Sequence, residues 1–181
     1  MFRVLRALLP LVLVLLLVAA VVLVVTARPD LQDARNNVAK AWTPLEKQLD
    51  PRYISLAAVT EGLKDVPGPI HDLVGDTNTV LARWQRTGRA ETSIASQVST
   101  ANELEALGRR LVGTAQQSQR VQSDAGKKAV VDQFAKAATP SAAAAYNEAI
   151  RKYEDTRTGP ARRPIAAILN YDQIPAFDTG T

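Results

Sequence analysis

Residues 38–63 read VAKAWTPLEKQLDPRYISLAAVTEGL, and their spacing decides the fold. Val38, Trp42, Leu45, Leu49, Leu56, Val59 and Leu63 recur at steps of three and four, with Arg52 or Tyr53 at the remaining position. That alternation places one apolar stripe along a helix. Two prolines interrupt the stretch. Pro44 sits in Thr43-Pro44-Leu45-Glu46, the pattern of a capping box with proline at the first helical position, and Asp50-Pro51 has the same form. The stripe keeps register across both, so the sequence predicts one long kinked helix and not three short ones.

Outward from this seam, helical signals continue. Val66-Pro67-Gly68-Pro69 is a strong breaker. A helical piece follows from about Ile70 to Arg86, and Thr87-Gly88-Arg89 is the next turn. Ile94, Val98, Ala101, Leu104, Leu107 and Leu111 mark a second long helix, from roughly Ala90 to Gln119. Beyond a turn at Ser123–Gly126, Val130, Phe134, Ala138, Ala142, Tyr146, Ile150 and Tyr153 mark a third, with a kink or short break at Thr139-Pro140 and an end at Gly159-Pro160. The apolar residues Ile165, Ile168, Leu169, Tyr171, Ile174 and Phe177 predict a C-terminal tail that packs back on the helices. Sustained period-two alternation is missing, and Ala, Gln, Glu and Arg are frequent. The expected class is all-α: an elongated antiparallel bundle of three or four helices over residues 28–181, with Trp42, Trp84, Tyr53, Phe134, Tyr146 and Tyr153 dominating its core.

The N-terminus differs in composition. After a short basic tail over residues 1–6, residues 7–27 carry no charge. As a helix they reach about 30 Å, the thickness of a bilayer's hydrocarbon core. The expectation is a transmembrane signal-anchor helix over 7–27, a single-pass cell-membrane protein with its bundle outside the cytoplasm, and membrane lipid as a partner through that segment. The competing reading is a cleaved signal peptide ending at Val25-Thr26-Ala27, whose apolar region is usually shorter. With Arg3 and Arg6 set aside, the other 20 basic residues face 18 acidic ones. The remaining chain is nearly neutral, which argues against a nucleic-acid partner.

Motifs for chemistry are missing too. There is no cysteine and one histidine, His71, which excludes thiol catalysis, thiolate metal sites and multi-histidine metal sites. No GxSxG, HExxH, GxxxxGK[ST] or GxGxxG occurs. Asp72 and Asp76 lie near His71, but no nucleophile is marked. Asp76-Thr77-Asn78 begins like a calcium loop without its glycine or closing glutamate. The expectation is no catalytic, cofactor-binding or metal-binding residue, no cofactor, and no enzyme activity. Arg151, Lys152, Arg157, Arg162 and Arg163 form the densest basic patch; interleaved with Glu148, Glu154 and Asp155, it reads as a solvated helix face.

Two stretches resemble the LemA family of bacterial membrane-anchored helical proteins. Residues 36–53, NNVAKAWTPLEKQLDPRY, are similar to the family pattern N-x-V-x-x-A-W-[ST]-x-[IL]-[DE]-x-Q-L-x-x-R-Y. Tyr146-Asn147, Ile150, Tyr153 and the segment from Ile165 to Phe177 are similar to its Y-N-x-x-V-x-x-Y-N segment and apolar tail. The chain departs from the pattern at Arg28-Pro29, at Tyr153-Glu154 and at Pro160-Ala161, where the family carries Tyr-Asn, Tyr-Asn and Phe-Pro. The resemblance implies a non-enzymatic bundle protein with a single anchor. The residues themselves read as structural: Trp42, Tyr146 and Tyr153 lie on packing stripes, and Asn36 and Asn147 are expected to satisfy helix or tail backbone groups. The leading function is a cell-envelope scaffold or interaction protein with an unknown protein partner. The alternative is a receptor-like bundle that binds a small ligand between its helices.

Overall fold

A computed structural model describes residues 2–87, 93–137, 140–160 and 162–180, with side chains at Val18, Val22 and, Thr87 excepted, from residue 24 onward. Among these residues every regular element is helical. They are α1 (Phe2–Leu63), α2 (Pro69–Thr87), α3 (Ile94–Gln117), α4 (Gln119–Gln122), α5 (Ala125–Lys136), α6 (Ala142–Thr158) and α7 (Arg163–Ile168).

The seam lies in one unbroken helix, as its register requires. Val38, Trp42, Leu45, Leu49, Leu56, Val59 and Leu63 are all buried, and Tyr53 takes the disputed position. Proline inside a helix leaves the carbonyl four residues earlier without its N–H partner. Pro29, Pro44 and Pro51 are exposed, and so are Val25, Lys40 and Lys47, four residues before them. The freed carbonyls therefore belong to the solvent side, where water satisfies them. The helix ends at the Pro-Gly-Pro break, where Gly68 adopts φ +83°, a conformation that a side chain would strain.

The N-terminal expectation is corrected. Among the described residues, no helix is long and apolar enough to cross a membrane. The transmembrane signal-anchor helix over 7–27, the single-pass cell-membrane localisation and the extracytoplasmic bundle built on it do not stand. The segment is not a separate element. It is the start of α1, which continues without a break into Arg28, Asp30, Asp33 and Arg35, so the described part soon becomes too polar to span lipid. Of residues 7–27, the side chains of 7–17, 19–21 and 23 lie outside the described residues.

Contacts divide the chain into two compact units, one of Ala39–Glu148 with Ile174–Thr181, the other of Met1–Val38 with Ala149–Gln173. The first is an up-down-up-down bundle. α2 runs against α1: the Thr60 hydroxyl donates to Asn78, while Trp84, near the other end of α2, donates to Asp50. α3 runs with α1, since Trp42 meets Gln97 and Arg52 meets Glu105. The return leg is α5 and α6. A Cβ on Gly62 would lie 3.1 Å from Val130, Arg52 donates to the Ala137 carbonyl, and Gln48 bonds Ser141. The expected third helix is thus two helices. Thr139 and Ala138 lie outside the described residues, as does the turn at Gly88-Arg89. Phe134, Tyr146, Ile150 and Tyr153 are buried as spaced, while Val131 and Ala143 are buried where Val130 and Ala142 were expected.

In the other unit, Leu31 and Val38 of α1 are buried, as are Ile150 and Tyr153 of α6 and Ile165, Ala166 and Tyr171 after it. The Tyr171 hydroxyl donates to Gln32 at 2.8 Å, and Tyr153 donates to the Asp172 carbonyl at 2.7 Å. Ile168, expected to pack, is 73% exposed. Ile165 and Ala166 are the buried residues of α7, and Ile168 is its last residue.

Three substitutions test the packing of the first unit. Gly108 faces the Phe134 ring at 3.2 Å from a would-be Cβ, whereas Gly113 has nothing within 4 Å. Gly108→Val should cost about 1–3 kcal/mol by overpacking, and Gly113→Ala should stabilise by about 0.5–1 kcal/mol by removing a flexible helical glycine. Trp42→Ala should cost about 3–5 kcal/mol, the usual toll of truncating a buried large aromatic. Urea unfolding followed by circular dichroism measures all three.

Candidate functional site

The motif residues of α1 face three helices at once. Trp42 is buried, and its indole N–H donates to Gln97 at 2.6 Å. Its ring meets Tyr146 edge-on at 5.4 Å and Trp84 at 6.4 Å, and Trp84 meets Tyr53 at 5.0 Å. Four aromatic rings from α1, α2 and α6 thus form one edge-to-face chain, each pair worth about 0.5–1.5 kcal/mol beyond its buried area. The Tyr53 hydroxyl donates to the Ala101 carbonyl at 3.1 Å. Beside it, Arg52 holds Glu105 through two bonds, at 2.7 and 2.9 Å, with side chains only 14% and 6% exposed. The guanidinium also lies over the Phe134 ring at 4.7 Å. These side chains are positioned by each other and leave none of their polar atoms aimed at a vacant space.

Tyr146 and Asn147 on α6 face the tail. The Tyr146 hydroxyl donates to the Pro175 carbonyl at 2.9 Å. Asn147 donates to the Phe177 carbonyl at 2.9 Å and accepts from the Phe177 N–H at 2.8 Å. From α3, Asn102 does the same one residue out of step: it donates to the Ala176 carbonyl and accepts from the Asp178 N–H, both at 2.8 Å. Ile174 and Phe177 are buried. Arg109 pairs with Asp178, whose carboxyl also accepts from the Gly180 N–H. Those two donors, the backbone one first, hold its pKa below the usual carboxylate range. Gly180 has φ +73°, and a Cβ there would lie 2.8 Å from the Arg109 guanidinium.

This tail is docked with little to spare. Burying Ile174 and Phe177 stabilises by roughly 1.5–3 kcal/mol each, and each of the hydrogen bonds by about 1 kcal/mol. Fixing the backbone of residues 174–178 costs about 1–2 kcal/mol per residue, before side-chain entropy. The two sides agree to within a few kcal/mol.

Elsewhere the expected features are placed as follows. Asn36 is exposed and accepts from Gln32 at 3.4 Å, so it does not serve the backbone as Asn147 does. His71 is exposed in the first turn of α2. Asp76-Thr77-Asn78 is helical, with Thr77 donating to the Leu73 carbonyl, so no calcium loop forms there. The basic patch is partly spent on ion pairs: Arg157 with Glu154, and Arg162 with Asp30. An open groove of about 480 Å³ lies between α2 and α3, with Asp72 and Asp76 on one wall and Arg110, Thr114 and Gln117 on the other. Among the described residues, no group of three or more His, Cys, Asp or Glu is placed to hold a metal ion. Glu105, Gln97 and Asn102 carry much of this geometry and had no motif to mark them; only their positions on or beside the α3 seam hinted at it.

No family model, curated protein or solved structure matches this chain.

The tyrosines set an alkaline limit. Burial raises the pKa of Tyr53 and of Tyr146 well above the ordinary tyrosine value. Both stay protonated in the fold at a pH where the unfolded chain has lost those protons. Stability should therefore be level up to about pH 10, the unfolded tyrosine value, and should fall above it. Urea midpoints between pH 8 and 11 check this, and Tyr146→Phe should make the fall shallower.

Proposed function

We propose that this chain is a non-enzymatic interaction protein, a helical bundle of the LemA type whose role is to hold another protein. What supports the reading is where the motif residues are spent. Trp42 is used on Gln97, Tyr146 on the Pro175 carbonyl and Asn147 on both backbone groups of Phe177. Residues that a LemA-like pattern brings together are thus spent on holding the helices and the tail, and among the described residues they bring no nucleophile and base to one point. In-cell crosslinking of the full chain should recover the same few proteins in reproducible ratio. The purified chain should leave ester, phosphate, peptide and glycoside substrates unchanged. Turnover that disappears in His71→Ala or Asp72→Asn would overturn the reading.

A second reading is a receptor-like bundle that takes a small ligand between helices. The α2–α3 groove favours it, because carboxylates and a guanidinium on facing walls suit a zwitterion. A thermal-shift screen of free amino acids and related zwitterions tests it. A hit should raise the melting temperature of the wild type and leave Arg110→Ala unmoved.

A further inference from the structure

Residues 175–178 are held as a peptide ligand is held. Five hydrogen bonds reach their main-chain groups from the side chains of Asn102, Tyr146 and Asn147. Main-chain groups are common to every sequence, so these bonds select an extended conformation and not particular side chains. Selectivity is left to Ile174 and Phe177, the two buried side chains, and to Asp178 beside Arg109. Pro175 needs no N–H partner and holds its φ near the extended value in advance, which lowers the entropy lost on docking.

Vacating this groove is physically easy. Asn102 and Asn147 are only part-buried, so water can replace the tail at their amides. The same exchange at Arg52 and Glu105 would strand charges in the core.

We propose that the groove between α3 and α6 is a binding site for extended peptides of the pattern apolar–x–x–aromatic–acid, filled here by the chain's own Ile174–Asp178. The inference rests on the interaction-protein reading and narrows its partner to a linear segment of another protein, which competes with the tail. A tail on the same chain acts at high effective concentration, so only a well-matched or locally abundant segment displaces it.

The test uses the full chain and a fluorescein-labelled peptide of residues 172–181, DQIPAFDTGT. Phe177→Ala weakens the internal tail and leaves the groove intact. This variant should bind the labelled peptide saturably, and about tenfold or more tighter than the wild-type chain does, whose groove is occupied. Adding Asn147→Ala should weaken binding by about tenfold, the scale of one or two lost hydrogen bonds. A peptide carrying the same Phe177→Ala change should not bind. Absence of saturable binding by a Phe177→Ala chain with wild-type helicity overturns the proposal, as does binding that ignores Asn147→Ala. Hydrogen exchange on the wild type gives an independent readout should the variant fail to fold. The amides of Phe177 and Asp178 should exchange through local opening, faster than those of Leu104 and Val98. Exchange of all four at the global unfolding rate makes the tail part of the indivisible core and overturns the proposal. Crosslinking to folded partners tests the broader reading separately and is unaffected by either result.

Discussion

Each of the other principal bundle helices reaches the same face of α1 through a contact that fits one register. α2 arrives through Trp84 against Tyr53, α3 through Glu105 on Arg52, α5 through the Phe134 ring beneath the Arg52 guanidinium, and α6 through Tyr146 against Trp42. The constraint comes from α1, whose stripe must stay in phase from Val38 to Leu63 across two prolines. A one-residue slip in α1 would turn Trp42, Leu45 and Leu49 by about 100° and break all four contacts together. The prolines survive because they lie off the stripe.

Arg52 and Glu105 sharpen this arrangement more than they strengthen it. Replacing a buried ion pair with apolar groups of similar shape is often neutral for stability, while removing one partner leaves the other charged and dry. The energetic penalty thus falls on wrong arrangements. Any packing that separated α1 from α3 at this level would bury a lone guanidinium or a lone carboxylate. The neighbouring Tyr53 bond to the Ala101 carbonyl fixes the same two helices one turn away.

Much of this was legible because a helix writes its buried face as a period. The stripes Val38–Leu63 and Val98–Leu111 are buried as spaced, and the six aromatics proposed for the core are all buried. What failed was information that a period does not carry. A buried stripe is wider than one residue, and which of two neighbours within it turns inward is set by the facing helices, so Val131 and Ala143 replaced Val130 and Ala142. A six-residue helix is too short to define a face, so Ile168 was misplaced. Asn36 and Asn147 look alike in sequence, yet only Asn147 meets a segment far along the chain. The uncharged run over 7–27 had length and apolarity in its favour, but nothing in its composition showed that α1 would continue through it into charged residues. The tail clasp was half visible: Asn147 stood in a recognisable dipeptide, whereas Asn102 sat unmarked between Ala101 and Leu104.

The clasp also has a direction in time. Asn102 and Asn147 both precede Phe177 in the chain, the second by thirty residues. Ribosomes add about 5–20 residues per second, so for roughly 1.5–6 seconds of every synthesis both asparagines exist before the backbone they will hold. Order of synthesis thus enters beside fit: the backbone at Phe177 is always made after both of the asparagines that hold it.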